Sequence, residues 1–375
     1  MTDGVEVLGY GIHPFGRFPD KLPSELASSA IEQALRRAGV ARDAVEVVYT
    51  GHTVADSGGG TAVLAAAGIR GVPILNLDQA CASSASAVAL AVAALSAGQA
   101  ETALVVGFEK MGSGFLRQSR PHQRREQLLG FDLQPANYAL KASRYLASYG
   151  GDEKLLAGVT VKSRRHAAAN PEAHLRTETT LGEVLESPMI ASPLTRLQCC
   201  PTSDGAAAVV LGRRRPGAPH RHPSVVACVL GTLTADEALS CGVPESFTAR
   251  LARSAYEAAG IGAEDVGVAQ VHDAFTIAEP LRLEALGLVP EGEGLDWNER
   301  GMTSIGGRIP TNTDGGLLSR GHPVGATGVA QLIEVVRQVA GEAGERQVEP
   351  VPTVGVCQNL GGGENGGGVV MVVVR

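Results

Sequence analysis

Two stretches of the chain carry the same pattern of apolar and polar positions. From Leu26, LASSAIEQALRRAGVARDAVEVVYTGH places alanine, isoleucine and leucine three and four residues apart, stops at Gly39 and then enters a β-branched run. From Leu251, LARSAYEAAGIGAEDVGVAQVHD repeats the scheme one helical turn shorter, with its stop at Gly260. Apolar residues at this spacing predict an amphipathic helix, glycine just past its end a left-handed cap, and the β-branched run a strand. Each copy therefore reads as helix, turn, strand.

The likeness continues downstream. Each half next offers a Gly-rich connection, a second helix and another strand: SSASAVALAVAALSAG with TALVVGF, and GATGVAQLIEVVRQVAG with VPTVGV. Cys81 stands just before the first of these helices, and RGHPVG with His322 before the second. A duplicated βαβ arrangement predicts an α/β fold in which corresponding helix starts and strand ends meet at one shared face, where such folds bind ligands. Residues from about Met111 to Ala191 break the pattern and read as an inserted lobe, and GRRRPGAPHRHPS reads as a linker between the halves.

Length and charge narrow the choices. A chain of 375 residues supports two packed units or one large α/β unit with an insertion, and 48 glycines without a Gly-X-Y period imply tight turns. A net charge of −7 argues against a nucleic-acid binder, which needs a broad basic face. The start MTDGVEVLGYGIHPFG lacks the basic and apolar regions of a signal peptide, so the expected location is cytoplasmic, with no membrane partner. Six cysteines without a CxxC pair make neither a disulfide framework nor a zinc site, and adjacent Cys199 and Cys200 read as core residues. The lobe carries Arg117, Arg120, Arg124, Arg125, Lys162, Arg164 and Arg165, either a solvated helix face or a recognition surface for a phosphorylated ligand.

Four groups stand at element ends. Cys81 precedes a helix whose unpaired N–H groups would favour a thiolate, although a packed thiol is the plainer alternative. His272, in VHDAFTIAE, follows an apolar strand and precedes Asp273; it could equally serve neighbouring backbone. His322 is constrained by Pro323 and by Gly321, Gly325 and Gly328, which permit close backbone approach. Cys357 begins CQNLGGGENGGG, whose glycines are either a turn or a source of oxyanion-binding N–H groups. No phosphate-binding glycine loop and no GxSxG accompany them. Two cysteines and two histidines suit thioester chemistry.

NLDQACASS, VVGFEKMG, CPTSDGAAAVVL, HDAFTIAE, GGLLSRGHPVGATG and CQNLGG, in that order and after GYGIHPFGRFPDK, resemble the thiolase superfamily, and its sterol carrier protein-type branch in particular. The resemblance implies a five-layered αβαβα fold: one half from 1–110 and 192–215, an inserted loop domain at 111–191, and a second half at 222–375. It implies an acyl-CoA C-acyltransferase of lipid metabolism, working by non-decarboxylative Claisen chemistry, with coenzyme A as substrate or product, no permanently bound cofactor or metal, and at least a homodimer. Cys81 would carry the acyl group, His322 would take its proton, Cys357 would act as acid and base at the α-carbon, and His272 with His322 would hold the enolate oxygen. N–H groups of Cys81 and of the loop near Asn359 would bind the tetrahedral oxyanion. His166, Arg164 and Arg165 become candidates for the coenzyme A phosphates. Ser84 stands where relatives carry glycine, which is expected to narrow the acyl pocket or alter helix entry. Three rivals remain open: a decarboxylating ketosynthase-like enzyme, an aldolase or C-acyltransferase working with a small OB-fold partner, and a non-catalytic scaffold.

Overall fold

The computed structural model describes residues 4–53, 59–112, 133–214, 221–234, 237, 244–362 and 366–375. The first half contains β1 (Val5–Gly16), α1 (Pro23–Ala38), β2 (Val47–Gly51), α2 (Gly59–Ala66), β3 (Ile74–Leu77), α3 (Ser83–Ser96) and β4 (Thr102–Glu109). The lobe contributes α4 (Gln134–Tyr149), α5 (Glu153–Ala168), α6 (Leu181–Glu186) and the small ribbon β5 (Met189–Ala191) with β6 (Leu194–Thr195), before β7 (Asp204–Arg213) returns to the sheet. The second half contains β8 (Ser224–Thr232), α7 (Pro244–Ala259), β9 (Val268–Gln270), α8 (Ala278–Ala285), α9 (Gly294–Glu299), α10 (Gly316–Ser319), α11 (Thr327–Ala340), β10 (Val354–Gly361) and β11 (Gly367–Val374).

The duplication read from the residues reappears in the hydrogen bonding. Strands run in the order β3-β2-β4-β7-β1-β8-β11-β10-β9. In the first half β2 is parallel to β4, which is antiparallel to β7, itself antiparallel to β1. The second half repeats this with β9, β10, β11 and β8. Only Val5 with Val225 and Glu6 with Ser224 pair β1 to β8, so two sheets meet at a narrow seam.

One core cluster contains Val47, Val105 and Val209 of the first sheet, Val268 and Met371 of the second, and Ala87, Ala91, Ile333 and Val336 of α3 and α11. These two helices form the middle layer, covered on both faces, so small or apolar residues occupy most of their circumference. At Gly328 a Cβ would come 2.5 Å from the Ala85 nitrogen, so the two helices touch through backbone. A second cluster packs α1 and α2 against the outer face of the first sheet, and a third packs α7 against the outer face of the second. The result is the expected αβαβα stack. The predicted stops hold at Gly39 and Gly260, with φ of 65° and 69°.

The lobe packs over the sheet ends. Tyr138 and Ala142 of α4 and Leu156 and Val159 of α5 share a cluster with Ala274, Phe275 and Leu317. The Tyr138 ring stacks on Phe275 at 4.5 Å between centroids. No helix among the described residues is long and apolar enough to cross a membrane.

Candidate active site

The strand end after β9, the start of the middle-layer helix α11 and the loop before α3 deliver His272, His322 and Cys81 to one place. The Cys81 thiol and one nitrogen of each histidine lie within 4.8 Å of one another. The imidazoles meet edge to face, 5.1 Å between centroids. All three line a cavity of about 140 Å³ whose walls also include Met111, Pro135, Tyr138, Cys200, Phe275 and Leu360. A larger hollow of about 360 Å³, lined by Lys141, Arg144, Tyr149 and Glu291, contains no cysteine or histidine.

The loop before α3 is held under backbone strain. Ala80 has φ of 49°, a left-handed conformation costing a non-glycine residue about 1–2 kcal/mol. Its N–H donates to Asp78 Oδ1 at 3.0 Å, and its carbonyl accepts from Ser83 Oγ at 2.6 Å. These bonds aim the next residue, Cys81, into the cavity.

Hydrogen bonding assigns opposite tautomers to the two histidines. Thr327 Oγ1 donates its one proton to the Pro323 carbonyl at 2.9 Å, so it accepts from His322 Nδ1–H at 2.7 Å. The lone pair of His322 is therefore on Nε2, where a base needs it. Around His272 the polarity is reversed. Gln331 Nε2 donates to the Gln358 carbonyl at 3.1 Å, which turns Gln331 Oε1 toward Asn359 Nδ2 at 2.7 Å. The second proton of Asn359 Nδ2 faces His272 Nδ1 at 3.5 Å, leaving the ring proton on Nε2 as a donor.

Protonation follows from burial. Desolvation drives the His322 pKa down to about 3, with Arg320 adding repulsion, and pushes His272 well below its usual value, with His322 contributing. Both rings are neutral at physiological pH. Burial and the carboxylates of Glu109 and Asp78 raise the Cys81 thiol to about 12, against the opposing N–H groups of Cys81 and Gly362. Of the two alternatives for Cys81, burial and the nearby carboxylates favour the thiol, beside a neutral imidazole, over the thiolate that a helix start would favour.

Residues 7–215 match the family description "Thiolase, N-terminal domain", and residues 243–372 match "Thiolase C-terminal domain-like". The chain belongs to the thiolase family. As a thiolase it is an acyl-CoA C-acyltransferase of Claisen carbon–carbon chemistry. It is 35% identical to the benzoylsuccinyl-CoA thiolase subunit BbsB of Thauera aromatica, covering 96% of this chain and 95% of that one. It is 33% identical to sterol carrier protein 2 of Homo sapiens, over 99% of this chain and 72% of the relative. Among solved structures, the Ltp2-ChsH2(DUF35) aldolase superposes with a TM-score of 0.84 at 25% identity, covering all of this chain and 98% of the other.

Other candidate residues of this thiolase lie elsewhere. Cys357 is fully buried in the middle core cluster and does not line the cavity. Its register partner on β9 is Gln270, two residues short of His272, or about 6.6 Å down the sheet from the site. Its side chain packs in the middle core cluster instead. His166 is buried with both nitrogens engaged: Nε2 accepts from the Ile305 N–H at 3.3 Å, so Nδ1–H donates to the Asn312 carbonyl at 3.0 Å. Burial takes its pKa down to about 4, so it is a neutral packing residue and no phosphate ligand. Arg164 is buried and donates to the Thr177 carbonyl at 3.2 Å, and Lys162 pairs with Glu279; of these α5 cations only Arg165 is exposed. Arg117, Arg120, Arg124 and Arg125 lie outside the described residues. The Asn359 side-chain amide faces His272, and the Gly362 N–H three residues on acts on the Cys81 sulfur. Ser84 does not narrow the pocket, because its Oγ accepts from the Val329 N–H at 3.2 Å between the two middle helices.

Sequence reasoning missed Gln331, whose place in the middle of a helix gives no sign of its contact with Asn359. It also missed Cys200, read as core though it lines the cavity. The proximity of Cys200 to the HDAF segment is set by a bond from its N–H to the Ala274 carbonyl at 2.9 Å, which no local pattern reveals.

Proposed function

We propose that this thiolase carries the acyl group of an acyl-CoA on Cys81, with His322 as the base that takes the thiol proton and His272 as the donor to the enolate oxygen. The observation that carries the reading is the close grouping of one thiol with two neutral imidazoles of opposite tautomer. In degradation, His322 Nε2 takes the Cys81 proton and sulfur attacks the 3-keto carbon of the substrate. The C2–C3 bond then breaks and its electron pair becomes a thioester enolate. His272 Nε2–H meets the enolate oxygen, and N–H groups of Cys81 and Gly362 meet the tetrahedral oxyanion. Coenzyme A completes the cycle by taking the acyl group from Cys81. The same steps reversed join two acyl-CoA molecules. One thiol and two imidazoles are also zinc ligands, but an ion there would consume every group this reaction uses.

The walls set by Met111, Tyr138, Phe275 and Leu360 are apolar and favour a hydrophobic acyl group. β3 lies at the sheet edge with Leu75 41% exposed, which suits pairing with a second copy of the chain. An accessory OB-fold protein is part of this reading, supported by the likeness to a benzoylsuccinyl-CoA thiolase subunit and to the Ltp2-ChsH2(DUF35) aldolase.

Intact-protein mass spectrometry after brief exposure to acyl-CoA and 3-ketoacyl-CoA thioesters tests the reading. One added acyl group, absent in Cys81→Ala, is expected; no adduct from any donor, with or without the accessory protein, refutes it. A second reading, aldol cleavage of an acyl-CoA side chain, gains support from the removal of Cys357 from the site and from the likeness to the Ltp2-ChsH2 aldolase. Full activity in Cys81→Ala would select it.

A further inference from the structure

Claisen chemistry moves a second proton, on or off the substrate α-carbon, and none of the three clustered groups is spare for it. His322 serves the Cys81 thiol and His272 serves an oxygen. A further acid–base group has to touch the same cavity. The cavity walls include Cys199 and Cys200, but not Cys357.

The two adjacent thiols are not equivalent. Both pack against the lobe cluster around Tyr138 and Phe275, but Cys199 Sγ is engaged, donating to the Thr195 carbonyl at 3.4 Å. The Cys200 backbone is tied to the histidine segment, its N–H on the Ala274 carbonyl two residues beyond His272. We propose that Cys200 is the proton donor and acceptor at the α-carbon, which rests on the acyl-CoA reading of the site given above. The electrostatics agree with that placement: ionisation of Cys200 is opposed first by burial, then by Cys199, Cys81 and Asp273, so its thiol is close enough to feel the nucleophile and is held well above its usual pKa. A thiol kept protonated is suited to giving a proton to carbon.

The protons balance in the degradative direction. As the C2–C3 bond breaks, the enolate carbon takes the proton of Cys200 Sγ, leaving the acyl-CoA that keeps C1 and C2 of the substrate and a Cys200 thiolate. Incoming coenzyme A then loses its thiol proton to Cys200 as its sulfur attacks the acyl group on Cys81. The Cys81 sulfur leaves and recovers its proton from His322. Each side chain ends as it began. In the synthetic direction the Cys200 thiolate removes the α-proton instead.

The test separates this role from the acyl-enzyme itself. Acetyl-CoA, hexanoyl-CoA and succinyl-CoA are incubated with enzyme in D2O, and α-deuterium in the recovered thioester is measured by mass spectrometry alongside the acyl adduct on Cys81. Cys200→Ala is expected to keep the Cys81 adduct and lose about 10²–10⁴-fold in exchange. Cys200→Ser should fall between it and the wild type, and Cys357→Ala should exchange normally. Retained adduct formation shows that Cys200→Ala is folded. Exchange at the wild-type rate in Cys200→Ala, or no exchange by the wild type, overturns the assignment. A missing adduct in the wild type would instead overturn the acyl-enzyme reading, and only exchange by an adduct-forming wild type bears on Cys200, because the Cys200 thiolate arises when coenzyme A, released as Cys81 is acylated, leaves with the Cys200 proton.

Discussion

Cys81 and Cys357 are both cysteines at the edge of an apolar run, and protein burial raises the pKa of both. Cys81 lies on a strained loop where a cavity, two neutral imidazoles and two N–H groups converge. Cys357 lies within β10, facing the middle layer between two sheets. A high pKa by itself therefore says nothing about reactivity. A neighbouring base with its lone pair correctly placed turns a buried thiol into a nucleophile, and its absence leaves a packing residue.

Replacing each thiol should break the comparison most sharply. Cys81→Ala should eliminate the acyl adduct and lower turnover by at least about 10⁴-fold. Cys357→Ala should leave both within about twofold and reduce unfolding free energy by about 1 kcal/mol, the scale of a small core truncation. Comparable activity losses in the two variants would refute the distinction. Steady-state kinetics and urea unfolding provide the measurements.

The next largest effects should separate the histidines. His322→Ala should slow acylation of Cys81 by about 10²–10⁴-fold. His272→Ala should acylate from a simple acyl-CoA at near the wild-type rate yet lose about 10²–10³-fold in carbon–carbon cleavage of a 3-ketoacyl-CoA. Single-turnover assays of the two half-reactions can resolve this; equal losses in both steps would show that the roles are shared. Asn359→Ala should cost about tenfold in cleavage with little change in KM, as expected for a group acting through another. ¹⁵N NMR should show His272 losing its Nε2–H preference, whereas a purely structural role would leave the tautomer unchanged.

A gentler test uses pH. Only the thiolate is alkylated, and below a pKa of about 12 its fraction rises tenfold per pH unit. Iodoacetamide labelling of Cys81 should therefore climb with unit slope from pH 6 to about 10. A plateau beginning below neutral pH would reveal a thiolate–imidazolium pair, in conflict with the neutral His322 whose pKa is about 3.

The duplication, the helix stops and three of the four proposed reactive positions were legible because each leaves a local trace. Apolar spacing encodes which face a helix buries, glycine past the end encodes a left-handed cap, and a reactive side chain at an element end has a direction to face. Cys357 misled because it satisfies the same local rule. Its exclusion depends on the pairing of β10 with β9, which decides how far down the sheet the thiol lies. His166 misled for a related reason: the basic composition around it suggested a ligand surface, while α5 turns it inward against Ile305 and Asn312. Cys200 was hidden because adjacency to Cys199 suggested packing for both.

Residue pattern by itself determined the two like halves, the inserted segment and the kind of chemistry, since periodicity and residue type are properties of neighbouring positions along a chain. Tertiary structure alone decided which thiols share the cavity, which nitrogen of each histidine bears the proton, and why Cys81 rests protonated. Those properties depend on partners as distant in sequence as Cys81 and His322, and on burial from several directions at once. Desolvation and hydrogen-bond direction come from what surrounds a group in space, which only the packed fold specifies.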